Sequence, residues 1–356
     1  MSFRTKRVFI ATPFYMLFEF FLLKYLFLLF GGINDGYLLI ITLGLGCLQC
    51  IPMVFEEKNS TILGRFFTEL FGLWAWSMVM ILIDLIIIYL IKQFTDISIT
   101  VVCILLSSVP ILGVYNYYIA HKLVVKQHTL KFDNLKEEVD IVHLSDIHFG
   151  AVRNSKIINQ VADKLKELSE TCDVAIISGD LADGSCVVEE DDFLPLKDVG
   201  MPIIFTPGNH DYYPGIENVC NAAKKAGLIV LNDEKFEFKG LNIFGLSFTF
   251  GDKKEVSNEV LKQVVNKNAV NIINYHVPYN WDLFSNLGFN LQLSGHTHGG
   301  QFYPMIWFCR LMFKYNMGLF KENDNYLSVT TGVGSMDTPM RWGTNSELVV
   351  LKLRKK

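Results

Sequence analysis

VDIVHLSDIHFG, residues 139–150, changes character halfway along. The apolar run 139–144 reads as a buried strand, and the polar residues Ser145–His148 read as a loop set on its end. Four further stretches repeat the arrangement. Residues 174–177 run into Ser178, Gly179 and Asp180; residues 203–205 run into PGNHD, 207–211; residues 270–275 run into His276; residues 289–293 run into GHTH, 295–298. Side chains two apart on extended backbone point the same way. Asp146 and His148 should therefore form one claw with Ile147 turned away, and His296 and His298 a second around Thr297. Gly179, Gly208 and Gly295 let the chain leave a strand abruptly, having no Cβ to clash.

Between these strand ends the periodicity predicts a helix over 155–168, with Ile157, Ile158, Val161, Leu165 and Leu168 on one face, and another over 217–226 closed by Gly227. Residues 236–248 read as an antiparallel pair turning at Lys239 and Gly240. Residues 326–330 and 348–353 complete the strands. Strand–helix alternation giving way to strands predicts α/β layers with mixed sheets. There is no internal repeat and no low-complexity tract.

The polar residues at the strand ends amount to two carboxylates (Asp146, Asp180), one amide oxygen (Asn209) and four imidazoles (His148, His276, His296, His298). That mixture suits Mn²⁺, Fe²⁺ or Zn²⁺, and suits Ca²⁺ or Mg²⁺ poorly. Two divalent ions bring four positive charges and the aspartates return two, which leaves room for a hydroxide and an anionic substrate. Coordination draws the pKa of water from 15.7 toward about 7, and two ions about 3.5–4 Å apart can grip the oxygens of a phosphoryl group. Singly, each fragment is more often a strand ending in a turn or a cap. The five in order, each on a strand end, carry the reading.

The order DxH, GD, GNH(D/E), H and GHxH resembles the calcineurin-like metallophosphoesterase superfamily, and the likeness runs from Val139 to Leu353. The resemblance implies an α/β four-layer sandwich, two mixed β-sheets between helices. It implies that Asp146, His148, Asp180 and His298 hold one metal, and that Asp180 bridges to a second completed by Asn209, His276 and His296. Mn²⁺ is the favoured ion. His210 matches the family's substrate-facing histidine, which stabilises the transition state or protonates the leaving oxygen, and Asp211 is expected to orient its ring. GHTHGGQ, MGLF (317–320) and LSVTTGVGSMDTPMRW (327–342) resemble the bacterial-type membrane-associated branch, in which a Gly-x-Gly turn and a PxR motif follow the last histidine. For Arg341 two roles stand open, reaching a substrate phosphate or fixing a loop. Arg153 either approaches an anion or is an exposed charge flanking a helix. Asp183 is expected to be a structural cap. Val277 departs from the pattern, since many relatives carry Asn or Glu there, and contacts at the rim should differ.

Composition divides the chain in two. Hydrophobic residues make up 51% and charged ones 19%, with Phe 28, and the apolar excess lies in the first third. A bilayer core about 30 Å thick needs about 20 apolar helical residues. Residues 9–30, 37–55, 66–91 and 97–120 qualify, so residues 1–128 are expected to form a four-helix transmembrane region and 129–356 the phosphoesterase domain. The first stretch is too long for a signal-peptide core and lacks a cleavage site. Arg4, Lys6 and Arg7 precede it, no basic residue lies in 31–36, Lys58 and Arg65 follow the second, only Lys92 follows the third, and Lys122, Lys126 and Lys131 follow the fourth. That alternation predicts a multi-pass protein with both termini and the catalytic domain on the cytoplasmic side.

Glu19, Lys24, Glu69 and Asp84 are charges in or beside these stretches. Glu19 and Lys24 are read as a loose pair, Glu69 as snorkelling, and Asp84 as a polar contact between helices. From Thr129 onward there are 23 basic against 29 acidic residues, which argues against nucleic-acid binding. Seven cysteines without paired spacing in the soluble part read as free thiols in a reducing compartment, not as a zinc site.

One stretch stands apart. From Phe302 to Phe313 only Arg310 is charged. The run is either a core-packing insertion or lid, or a surface whose Trp307, Phe308, Leu311, Met312 and Phe313 dip into a membrane interface, with Arg310 and Lys314 near headgroups. The second reading makes the bilayer a partner and predicts hydrolysis of a phospholipid or nucleotide-lipid phosphodiester, phosphomonoester or pyrophosphate. The superfamily resembled includes UDP-diacylglucosamine hydrolases. The competing expectations are a tethered phosphoesterase acting on soluble nucleotides or phosphoproteins, and a transporter or sensor with a regulatory metal domain.

Overall fold

A computed structural model describes residues 3–56, 61–150, 153–249, 256–336 and 338–356, with side chains described from residue 8 onward and not for 52–56. Lys58, which entered the orientation argument, lies outside the described residues, as do the side chains of Arg4, Lys6 and Arg7. The chain divides into two compact units, Met1–Ile119 with Asp337–Met340, and Ala120–Met336 with Arg341–Lys356.

The first unit is helical: α1 (Phe3–Leu28), α2 (Asp35–Glu56), α3 (Ile62–Lys92) and α4 (Ile99–His121), the last ending in the second unit. α1, α3 and α4 are long and apolar enough to cross a membrane; the described apolar part of α2, Asp35–Ile51, is shorter. Their charges do not pair as the sequence reading proposed. Lys24 reaches Asp35 at 2.9 Å, while Glu19 accepts the Trp74 indole N–H at 2.8 Å. A partner on another helix holds a buried carboxylate better than a neighbour on its own surface can. Asp84 accepts Ser108 Oγ–H at 3.3 Å, a contact between α3 and α4, and Glu69 accepts the Tyr117 hydroxyl.

The second unit has four layers. β1 (Leu123–Phe132), β2 (Val139–Leu144), β3 (Val174–Ser178), β4 (Ile203–Thr206), β5 (Ile229–Val230) and β12 (Ser346–Lys355) form one mixed sheet, ordered β1-β12-β2-β3-β4-β5. β6 (Glu234–Phe238), β7 (Leu241–Leu246), β8 (Val270–Tyr275), β9 (Leu291–Ser294), β10 (Gly318–Glu322) and β11 (Asn325–Val329) form the other, ordered β10-β11-β9-β8-β7-β6. The sheets meet through Ile141, Val174, Ile176 and Ile204 on one side and Ile243, Ile272, Leu291 and Leu293 on the other. α5 (Asn154–Leu168) and α6 (Ile216–Lys225) cover the outer face of the first sheet with Ile158, Val161, Leu165 and Val219. α7 (Asn258–Val264) and α8 (Trp281–Leu287) cover the second through Leu261 and Phe284 against Phe244 and Ile273.

The β6–β7 hairpin turns at Lys239 (φ 45°) and Gly240 (φ 76°), both left-handed as a two-residue hairpin requires. The expected boundary after His128 falls inside β1, whose ten residues pair in parallel with β12. The boundary after His128 cut through LVVKQHTLKF, whose Leu130 and Phe132 are buried between the sheets. Leu351 is wholly buried between the sheets, so Leu351→Ala should destabilise the chain by about 2–5 kcal/mol. Thermal unfolding of the detergent-solubilised protein would show this as a lower Tm with an unchanged low-temperature circular dichroism spectrum.

Candidate metal centre

All five polar fragments lie just beyond β2, β3, β4, β8 and β9, neighbouring parallel strands of the two sheets that end at one edge. Ligand sites form at such carboxyl ends because loops there converge on one crevice. The side chains gather into two nests, Asp146 with His148 and His298, and Asp180 with His276 and His296; within each, the donor atoms lie within 4.8 Å of one another.

In the first nest His148 Nε2 and His298 Nε2 are 3.0 Å apart, and Asp146 Oδ1 lies 3.7 and 3.3 Å from them. In the second, His276 Nε2 is 3.0 Å from Asp180 Oδ2 and 3.3 Å from His296 Nδ1, which lies 2.9 Å from Asn209 Oδ1. Asp180 Oδ2 also comes within 3.9 Å of His148 Nε2, so its carboxylate faces both nests.

Five of these ligands share an unusual backbone. Asp146, His148, Asp180, His296 and His298 have φ between 49° and 69°. The extended claws expected from side-chain alternation are therefore replaced: the donors sit past the strand ends in left-handed turns. Each such residue costs about 1–2 kcal/mol relative to ordinary backbone, and strain of this kind persists only where the surroundings hold it. They do. Asp146 N–H donates to Gly179 O at 3.0 Å and His148 N–H to Asp180 O at 3.1 Å, while Asp146 O accepts Gly334 N–H at 2.7 Å. Glycine at 295 serves close approach, since a Cβ there would lie 2.2 Å from Asp146 Oδ2.

Protonation follows the crowding. Burial opposes a charge on His276, but Asp180 outweighs it and pushes the ring up to about 9. Burial and the neighbouring His276 push His296 down to about 4, and burial with His148 and Arg341 pushes His298 well below the usual range. Both are lone-pair donors near neutrality. The His276 Nδ1–H donates to Ser178 O at 2.6 Å, which leaves Nε2 turned to the nest. One proton can bridge the His148 and His298 nitrogens at 3.0 Å, and a divalent cation can take its place. The donor set fits two borderline divalent ions.

His210 stands over the first nest, its ring 4.8 Å from that of His148 and edge-on to Tyr213. Asp211 does not orient it. Asp211 is buried and accepts the N–H groups of Asp180, Ala182 and Gly208 at 2.8–2.9 Å, fixing the loop that carries the shared ligand. The His210 Nδ1–H donates instead to the Asp183 carbonyl at 3.0 Å. A backbone acceptor leaves no mark in a sequence, which is why the adjacent carboxylate attracted the assignment. Asp183 also accepts Ser185 N–H, as a cap would.

Arg341 is fully buried, its guanidinium donating to the carbonyls of Thr331, Gly332 and Gly334 and to Thr344. It fixes the loop against Asp146 and offers no surface to a phosphate. Arg153, also buried, donates to Ala120 O at 3.3 Å. Val277 is buried as well and does not shape the rim. Phe313, grouped by the sequence reading with the membrane-facing residues, instead sets its ring 5.8 Å from His296 and stacks on Tyr279 at 5.4 Å. The sequence reading missed the polar link under the site: His143 between Ser328 and Ser178, and Ser178 donating to Asn274.

A family model described as calcineurin-like phosphoesterase matches residues 139–300. Among similar curated proteins, an uncharacterized metallophosphoesterase of Helicobacter pylori is 28% identical over 64% of this chain and 63% of its own length. The uncharacterized protein YpbG of Bacillus subtilis is 30% identical over 64% of this chain and 87% of its own. A transmembrane protein with metallophosphoesterase domain from Danio rerio is 26% identical over 60% and 53%. The match thus spans under two thirds of the Helicobacter protein's length.

Two measurements test the centre. Gly295→Ala removes no donor yet intrudes on Asp146, so metal content measured by elemental analysis should fall toward one ion per chain. Below pH 9 His276 must lose a proton before it can bind an ion. Mn²⁺ affinity should therefore rise with pH between 6 and 9, by about ten-fold per unit for one displaced proton, with matching proton release in a calorimeter.

Proposed function

The chain belongs to the calcineurin-like phosphoesterases, and on that premise we propose that it hydrolyses a lipid-linked phosphate ester or pyrophosphate from a membrane-anchored position. The observation that carries the hydrolase reading is the pair of nests facing one carboxylate, Asp180, with His210 above them. A pair of divalent ions held by Asp146, His148, Asp180, Asn209, His276, His296 and His298 would supply Lewis acidity and lower the pKa of a water molecule; the borderline donor set favours Mn²⁺.

The rest is the work of this chain's own groups. Asp180 faces both nests, and Asp211 holds its loop by accepting the N–H groups of Asp180, Ala182 and Gly208. His210, its Nδ1–H committed to Asp183 O, keeps Nε2 for the substrate, where the doubly protonated ring can donate to the departing oxygen. Phe313 and Tyr279 give one side an apolar edge and favour a substrate with an apolar group beside its phosphate. The lipid assignment is supported by that edge, by the apolar helices α1, α3 and α4, and by the likeness to a protein named for its membrane segments. The basic residues between the apolar stretches support a multi-pass arrangement with the domain on the cytoplasmic side.

The test is a screen of total membrane-lipid extract, soluble nucleotides and phosphopeptides with the Mn²⁺-loaded full chain. Phosphate-ester turnover should appear with the lipids and vanish in Asp180→Ala. His210→Gln should keep its metals and lose about 10²–10⁴-fold in kcat. Comparable turnover of soluble nucleotides or phosphopeptides alone would replace the lipid substrate; no turnover dependent on Asp180 would remove the hydrolase.

A further inference from the structure

The greasy stretch after the last histidine is a helix, α9 (Met305–Met312), and it is apolar on both sides. Ile306 is fully buried and Cys309 nearly so, which fastens the helix to the domain. Its outward residues are Trp307 (59% exposed), Phe308 (55%), Leu311 (85%) and Met312 (71%). Contiguous apolar surface of this sort marks a binding face; scattered single residues do not. The face also leads somewhere. Directly after Met312 comes Phe313, stacked on Tyr279 and edge-on to His296.

The chemistry of the face selects its occupant. Trp beside aliphatic residues, with the exposed Arg310 and Lys314 at the margin, is the composition of a helix lying in a membrane interface, where the indole and the basic heads sit among headgroups. Lys314 is paired with Asp282 at 3.5 Å, but both are well exposed, so that pairing is weak in water. The apolar helices are joined to the domain by the shortest of links in the chain: α4 ends at His121 and β1 begins at Leu123.

We propose that α9 is an interfacial docking helix that inserts Trp307, Phe308, Leu311 and Met312 into the headgroup–acyl boundary of the bilayer that holds the chain's own apolar helices. The apolar part of a substrate then passes along Phe313 and Tyr279 to the donors. This second half rests on the lipid-ester reading; the insertion does not.

Two arms separate them, both on the full chain in vesicles of phosphatidylcholine with one fifth phosphatidylglycerol. In the first, Leu311 and, as a control, the exposed Glu217 of α6 are each replaced by the photo-crosslinker p-benzoylphenylalanine. Lipid adducts should exceed the control by about ten-fold at 311. Absence of lipid adducts there, or adducts chiefly to a second copy or another protein, overturns the proposal whatever the activity. In the second, the double variant Trp307→Ser with Leu311→Ser is assayed on a diacylglyceryl p-nitrophenyl phosphate in the vesicles and on water-soluble bis(p-nitrophenyl) phosphate. The first rate should fall about ten-fold and the second stay unchanged at full metal content. An unchanged vesicle rate, or equal loss on both substrates, overturns the delivery role. A wild-type chain that cleaves neither substrate sinks the hydrolase reading and leaves the cross-linking result standing.

Discussion

Everything about the centre follows from crowding carboxylates and imidazoles into a space with almost no water. His148 and His298 bring nitrogens to 3.0 Å, and Asp180 and Asp146 stand beside them at 0–1% exposure. In a low-dielectric pocket such a cluster is unfavourable unless positive charge enters. The rise of His276 to about 9 is the same demand met by a proton. The pocket's crowded carboxylates are balanced by positive charge, whether from a proton or from cations.

The scaffold holds that arrangement by crossing two sheets' strand ends and locking them with main-chain hydrogen bonds. Asp211 gathers three N–H groups around Asp180, and Arg341 gathers three carbonyls in the loop that caps Asp146. A negative clamp on amides and a positive clamp on carbonyls serve one purpose, holding ligands in left-handed backbone that would otherwise relax. The charge of Arg341 survives burial, which pushes it down only to about 10.

Much of this was legible in residues alone, because a buried strand is an apolar run and a metal ligand has a restricted chemical identity. The α/β layers with mixed sheets and the Lys239–Gly240 hairpin could be read for that reason, and the candidate donors stood out by residue type; the count of four layers came from the family resemblance. What escaped was whatever depends on the main chain or on long-range packing. The Asp183 carbonyl that orients His210 has no side-chain signature. The role of Arg341 was decided by burial, which a PxR motif does not encode. β1 was hidden by its position beside an apolar helix, and α9 by an apolar content too uniform to show a period. The claws failed for a further reason: alternation describes strands, and these donors begin where the strands stop.

The position of β12 has its own consequence. Residues 346–355 lie between β1, from 123–132, and β2, from 139–144. A ribosome making this chain releases the hydrophobic helices first, then both outer neighbours, and more than two hundred residues later the strand that joins them. Until then the sheet stands open along its middle, and Glu347, which accepts Thr331 N–H at 3.0 Å, has not arrived to steady the turn beside Asp146. The apolar helices are thereby made before the strand that completes the sheet beside the candidate ion-binding nests.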